Sequence, residues 1–268
     1  MATEKQLSMA ASAIALRGVR LFLNAGRNAA ARRAPPVQEQ RRLRPKKPAQ
    51  QGMRLPQKVY DALIKTTRFN KHEVEALFGM YKRLVTAAQS TLPTGAIAQT
   101  PAKVDGIDQG TFRDVMYNTF DMITEEAILE RIWITWERGA AGGEGALRFE
   151  AWVRGLSVLL KGTDEERKNH CFAVYDLNAD GYITRDEMFV LLKNSLLKQP
   201  GDEDPDEGVR ELVELVLKKL DVDKDGRVSI DDYKLAVDQE PLLLEAFGQC
   251  LPSRTQATTF LKTLNPKL

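Results

Sequence analysis

The sequence predicts an all-α protein: two pairs of helix–loop–helix units behind a basic N-terminal extension. Three observations lead there. Two twelve-residue stretches, Asp176–Glu187 (DLNADGYITRDE) and Asp221–Asp232 (DVDKDGRVSIDD), repeat one spacing of oxygen-bearing side chains. Upstream, two further helix–gap–helix segments show the same apolar periodicity without those oxygens. Charge is also divided unevenly along the chain. Residues 1–52 hold eight arginines and three lysines against Glu4 and Glu39, although the whole chain carries only +2. The expected boundaries are an extension at 1–55, an N-terminal pair at 56–160, a C-terminal pair at 161–252 and a tail at 253–268.

The spacing within the two stretches is that of the EF-hand calcium loop. A hard cation takes about six to eight oxygens from a tight turn. Asp176, Asn178 and Asp180 would supply positions one, three and five of the first loop, and Asp221, Asp223 and Asp225 those of the second. The carbonyls of Tyr182 and Arg227 fall at position seven, and Thr184 and Ser229 at position nine, where a ligand often acts through water. Glu187 and Asp232 close the cages. Gly181 and Gly226 occupy the sharp turn, where any Cβ is costly. Ile183 and Val228 follow at position eight, where paired loops meet through a short antiparallel bridge. Asp232 is one methylene shorter than Glu, which should weaken calcium there or shift the second loop toward magnesium.

Composition bounds the function. Hydrophobic content of 43% with 28% charged residues describes an ordinary globular chain. Two cysteines are too few for a disulfide framework, so a reducing compartment is expected. Cys171 lies among apolar helix positions, whereas Cys250 lies in a tail segment where a reactive thiol is an alternative to a core role. No apolar run reaches membrane-spanning length, and Met1-Ala2 offers no myristoylation site. His72 and His170 lack ligand companions, and no nucleophile–base set or phosphate loop is present, so an enzyme is not expected.

In the extension, Leu7–Leu23 is Ala-rich and suits a short amphipathic helix with Arg17 and Arg20. Residues 25–51 turn to Arg, Ala, Pro and Gln and hold too little apolar surface to offset chain entropy. Three readings of the extension stay open: a solvated tail, a mitochondrial presequence, or electrostatic docking on nucleic acid, tubulin or anionic lipid. No aromatic residues interleave the arginines, so sequence-specific nucleic-acid binding is not expected.

Helix begins near Pro56 with Val59, Leu63 and Ile64. Asn70 with Glu73 forms a capping box for a helix through Val74, Leu77, Phe78, Tyr81 and Leu84. Ile107-Asp108 and Thr111-Phe112 match the end of a first loop, with Thr111 at position twelve unable to replace a bidentate carboxylate. Thr124 is expected to cap the next helix, whose stripe is Ile128, Ile132, Trp133 and Trp136. The loop slot Glu137–Glu150 ends in a carboxylate but offers Arg, Gly and Ala at its early positions. Trp136 and Trp152 around it read as core. Thr163 with Glu166 caps the third entering helix. Gln199–Gly208 is an acidic linker, and Pro241–Phe247 is a short amphipathic piece suited to a groove of its own lobe or to a partner.

Specific flanking residues resemble the calaxin family, EF-hand proteins of motile cilia. They are Asn194–Pro200 (NSLLKQP), Glu203–Gly208 (EDPDEG), Leu242–Gly248 (LLLEAFG) and Cys250-Leu251-Pro252. Weaker likeness runs upstream through Phe69-Asn70-Lys71, Phe112-Arg113 and Gly155-Leu156-Ser157, so the resemblance covers roughly residues 58–252. It implies a calcium sensor of the outer dynein arm or its docking complex on doublet microtubules, in the axoneme of a cilium or flagellum. The implied partners are a dynein heavy chain or docking-complex coiled coils, with tubulin as a further candidate for the basic arm. Two departures stand out: the second hand has lost the ligands of typical members, and the arm lies outside the family pattern. The alternatives are a cytosolic sensor of a kinase or phosphatase, and a structural subunit whose C-terminal lobe is held by metal.

Overall fold

The computed structural model describes residues 55–90, 106–138, 145–194 and 206–265, with side chains in the first stretch described as far as 87. The expected helix at 7–23, the basic arm and most of the acidic linker lie outside the described residues. Among those described, ten α-helices, one 3-10 turn and two short strands make one compact unit over residues 51–268. No described helix is long and apolar enough to cross a membrane.

The N-terminal lobe opens with α1 (Gln57–Thr66), whose Leu63 is fully buried, and α2 (Lys71–Ser90). The Asn70–Glu73 capping box is present in both directions, Glu73 N–H donating to Asn70 Oδ1 (3.0 Å) and Asn70 N–H to Glu73 Oε2 (2.9 Å). The lobe continues through α3 (Gln109–Phe120), α4 (Glu126–Arg138) and α5 (Phe149–Lys161). The α4 cap falls one residue later than Thr124. The Glu125 carbonyl accepts the first helical bonds from Ile128 and Leu129, while the Thr124 carbonyl accepts the Tyr117 hydroxyl.

The C-terminal lobe holds α6 (Asp164–Tyr175), β1 (Tyr182–Ile183), α7 (Arg185–Leu192), α8 (Glu207–Leu220), β2 (Val228–Ser229) and α9 (Ile230–Gln239). Thr163 and Glu166 form the expected capping box. β1 and β2 pair antiparallel with Ile183 opposite Val228, the two position-eight residues.

The N-terminal lobe repeats that device. Ile107 and Leu147 form an isolated antiparallel bridge, exchanging N–H···O bonds of 3.0 and 2.8 Å. This register corrects the expected end of the second loop. With Leu147 at position eight, position twelve is Ala151, not Glu150, and Gly145 with φ of 72° takes the sharp turn at six. All four exit helices begin just after position nine, with Asp108, Arg148, Thr184 and Ser229 as N-caps. Position twelve then reads Thr111, Ala151, Glu187 and Asp232 along the chain.

The N-terminal core is aromatic. Phe112 packs edge-on against Trp133 and Trp136, each with centroids 5.3 Å away, and Trp136 against Trp152 at 5.9 Å. Such pairs contribute about 0.5–1.5 kcal/mol each beyond their buried area. Gly155 on α5 is required by this packing, because a Cβ there would lie 2.1 Å from the Trp136 indole.

After α9, a 3-10 turn (Pro241–Glu245) folds the chain back over its own lobe. Tyr175 and Tyr233 donate their hydroxyls to the carbonyls of Gly248 (2.7 Å) and Leu244 (2.5 Å). Phe247 packs edge-on against Tyr175 at 5.0 Å, whereas Leu242 stays 86% exposed. Cys250 is as fully buried as Cys171, so the reactive-thiol alternative for it is replaced by a core role. The tail, for which no helix is expected from sequence, forms α10 (Arg254–Leu264), capped by Ser253. α10 crosses to the N-terminal lobe and packs on α2, α3 and α5, with Phe260 against Phe120 at 5.0 Å. Glu73 fastens it there. This 3% exposed carboxylate receives Lys161 Nζ on both oxygens at 2.7 Å and Asn265 Nδ2 at 2.9 Å.

Candidate metal centre

Each C-terminal loop is shaped by its own carboxylates. In the first, Asp176 Oδ1 and Oδ2 accept the N–H groups of Asp180 (3.2 Å) and Gly181 (2.9 Å). Asn178 Oδ1 accepts Asp180 N–H, and Asp180 Oδ1 accepts Tyr182 N–H, both at 2.9 Å. The second loop repeats this bond for bond. Asp221 accepts Asp225 and Gly226 N–H at 3.2 and 2.9 Å, Asp223 accepts Asp225 N–H at 3.1 Å, and Asp225 accepts Arg227 N–H at 2.9 Å. The backbone repeats as well: Gly181 and Gly226 have φ of 90° and 92°, and the position-four residues Ala179 and Lys224 are left-handed at 61° and 63°. A left-handed non-glycine residue costs roughly 1–2 kcal/mol, and two at one loop position mark a turn dictated by the site.

Position twelve joins each loop to its exit helix. Glu187 Oε2 accepts the N–H and hydroxyl of Thr184 at 2.8 Å each, closing the capping box of α7. Its Oε1 reaches back to the N–H groups of Leu177 (2.9 Å) and Asn178 (3.2 Å). Asp232 repeats the capping box with Ser229, but toward its loop it makes one longer bond, to Asp223 N–H at 3.3 Å. The missing methylene thus appears as reduced reach across the loop, while the cap survives.

The donor set fits a hard cation. Carboxylate oxygens of Asp221, Asp223 and Asp225 all lie within 4.8 Å of one another. The Asp225 N–H draws the Asp223 carboxyl down, but burial and the charges of Asp225, Asp232 and Asp221 outweigh it and hold that carboxyl above its ordinary range. Converging like charges relieved by a dication is what an oxygen-donor calcium site requires. Asp225 is shifted the other way, held low by the Arg227 N–H and then by the Arg227 guanidinium.

The guanidinium groups of three arginines at this centre carry no signal in the ligand pattern, in which Arg227 counts only by its carbonyl. Arg227 pairs with Asp225 (3.1 Å) and lies over the Tyr182 ring at 3.7 Å, joining the two position-seven residues across the bridge. Arg185 donates to the Gly226 carbonyl (2.7 Å) and pairs with Glu214 on α8 (2.8 Å). Arg131, from α4 of the other lobe, donates to the Asp176 carbonyl at 2.6 Å. Of the twelve sequence candidates, Asp176, Asn178, Asp180, Tyr182, Thr184 and Glu187 gather around the first loop. Asp221, Asp223, Asp225, Arg227, Ser229 and Asp232 gather around the second. The structure gives Thr184 and Ser229 the further task of capping their helices.

An EF-hand domain pair matches residues 165–237, the two loops with their helices. The chain is 43% identical to calaxin of Bos taurus over 205 residues, covering 76% of this chain and 91% of the relative. It is 47% identical to calaxin of Xenopus laevis over 197 residues, covering 73% and 88%. Calaxin of Homo sapiens is 44% identical over 197 residues, covering 73% and 87%. This is a calcium-binding protein with an all-α EF-hand fold, and at such identity over most of the relatives' length the chain belongs to the calaxin family.

Proposed function

We propose that the chain is a non-enzymatic calcium sensor of the ciliary axoneme, acting on the outer dynein arm or its docking complex. The observation that carries this reading is the joint occurrence of an EF-hand pair, whose two loops share one spacing of oxygen-bearing side chains, with a calaxin-family sequence around it. In this proposal Asp176, Asn178, Asp180, the Tyr182 carbonyl, Thr184 and Glu187 hold one calcium ion. Asp221, Asp223, Asp225, the Arg227 carbonyl, Ser229 and Asp232 hold a second, weaker ion, with magnesium as a competitor. A bound dication supplies the charge that balances each carboxylate cluster. The chain's part is to offer the oxygens, set the turns through Gly181 and Gly226, and pass loop geometry to α7 and α9 through their shared caps. Movement of α7 would change the surroundings of half-buried Phe189 and buried Leu192, and with them the contact to a dynein or docking coiled-coil subunit. Tubulin is the proposed partner of the basic arm.

Cross-linking the tagged protein in isolated cilia, in calcium and in chelator, tests the reading. Recovery of a dynein or docking subunit, with a cross-link pattern that changes with calcium, is expected. Capture independent of calcium would favour a structural subunit, and absence of any axonemal partner would overturn the proposal.

A further inference from the structure

Arg131 joins the N-terminal lobe to the first residue of the 176–187 loop. It projects from α4, the entering helix of the second hand, onto the C-terminal end of α6, the entering helix of the third. Its Nη2 donates to the Asp176 carbonyl at 2.6 Å and its Nε to the Val174 carbonyl at 3.3 Å. One turn further along α4, the Thr135 hydroxyl donates to the Ala173 carbonyl at 3.4 Å. A helix leaves its last carbonyls without intrahelical partners, and a cation is favoured beside them. Here donors from the other lobe supply that cap.

Asp176 therefore works in two directions. Its carboxylate is the first candidate ligand and is tied to the loop through Asp180 and Gly181, while its carbonyl holds the guanidinium. The guanidinium also faces the charges at both ends of the loop. Burial draws its pKa down, with Arg138 adding to that, whereas the carboxylates of Asp176, Glu187 and Glu130 oppose it. The second loop is held differently, since the cation on its Gly226 carbonyl is Arg185 of its own lobe. The contact from α4 thus singles out the loop at 176–187.

We propose that Arg131 is a positioning residue through which cation occupancy of the 176–187 loop is transmitted to the N-terminal lobe. The inference rests on calcium binding at that loop. A dication drawn in by the Asp176 and Glu187 carboxylates changes the orientation of Asp176 and the field at the guanidinium together. Arg131 is fixed to α4, whose buried Trp133 and Trp136 build the aromatic core, so a shift at Asp176 is delivered into that core.

The tryptophans give a readout that belongs to one lobe. All three, Trp133, Trp136 and Trp152, lie in the N-terminal lobe, while the candidate ligands lie in the other. The full chain is titrated with calcium by calorimetry and by tryptophan emission, as wild type, Arg131→Gln and Arg131→Lys. Wild-type emission should change with the midpoint of the 176–187 heat. Arg131→Gln should keep that heat, with affinity within about threefold (~0.7 kcal/mol), yet lose at least half of the emission change; Arg131→Lys should recover part of it. An undiminished change in Arg131→Gln, or a flat wild-type emission alongside measurable calcium heat, overturns the proposal. Absence of any heat would instead refute the calcium site itself, so the two failures are distinct. If Arg131→Gln does not fold, the loop variants decide. At calcium just sufficient to saturate the wild-type loop, Glu187→Gln should lose most of the emission change and Asp221→Ala should retain it, and the reverse pattern contradicts routing through Arg131.

Discussion

The two lobes share one framework and stabilise it by different means. Both join their hands through a bridge at position eight, and both begin each exit helix after a cap at position nine. In the C-terminal lobe each loop carries oxygen-bearing side chains at positions one, three, five, nine and twelve, and in the second the carboxylates of Asp221, Asp223 and Asp225 converge. In the N-terminal lobe position twelve is Thr111 or Ala151, and order comes from Phe112 and three tryptophans, from the Ile107–Leu147 bridge, and from α10 laid across α2, α3 and α5. The pairing device is therefore independent of the full ligand spacing. Bridge, caps and helix packing recur in both lobes, whereas the full ligand spacing is that of the two C-terminal loops.

The largest expected difference between the lobes is in acid. Burial holds the His170 imidazole down to about 4, against 6.5 ordinarily, with its bond to the Cys250 backbone opposing the shift. Between those values the unfolded state binds the proton that the folded state refuses. Stability contributed by neutral His170 is therefore intact above about 6.5 and is lost as pH falls toward 4, by about 3 kcal/mol in all. Hydrogen exchange followed across that window should show α6 and α9 losing protection ahead of α2–α5, and His170→Asn should flatten the slope. Equal pH dependence in both lobes would break the comparison.

Next in size is the loss of a single ligand. Glu187→Gln removes one charge from the first loop and is expected to weaken calcium there about 100-fold, or about 2.7 kcal/mol, as read by calorimetry. Exchange protection within α2 and α3 should not change. The complementary variant is Gly155→Ala, whose methyl would collide with Trp136. Overpacking of this kind costs about 1–3 kcal/mol, and the loss should appear in the N-terminal lobe in chelator as well as in calcium. A cost at Gly155 seen with calcium and absent in chelator would show that the aromatic core does not stand on its own. The smallest expected effect is Asp232→Glu, which restores the reach that Glu187 has and should tighten the second loop by about threefold (~0.7 kcal/mol). Unchanged affinity would mean that Arg227, paired with Asp225, limits that site and not the length of residue 232.

Much of this organisation is legible in the sequence because the signals are local. Ligand spacing in the two loops, the Asn70–Glu73 and Thr163–Glu166 boxes and the apolar stripes of α2, α4 and α5 each depend on residues within a few turns of one another. The end of the second hand is one residue beyond the sequence expectation because its glycine-rich slot lacks the full ligand spacing that fixes the count, and the bridge to Ile107 sets it. Helix α10 did leave a trace, with Ser253 before Ala257, Phe260, Leu261 and Leu264 at helical spacing, but its destination on the other lobe did not. Arg131 left none. Its partners are backbone carbonyls more than forty positions away, and carbonyls carry no sequence signature. Cys250 was placed by sequence in a tail, whereas the bonds of Tyr175 and Tyr233 fold that segment onto α6 and α9.

Calcium binding is expected to be confined to the C-terminal lobe. Calorimetric titration of the full chain carrying Asp176→Ala together with Asp221→Ala tests it most directly, because position one of both oxygen-lined loops is removed and the N-terminal lobe is left intact. The account predicts no calcium heat above dilution, with exchange protection of α2 and α3 as in the wild type. Calcium binding to that variant with a stoichiometry near one or more would place a site outside the two loops and contradict it.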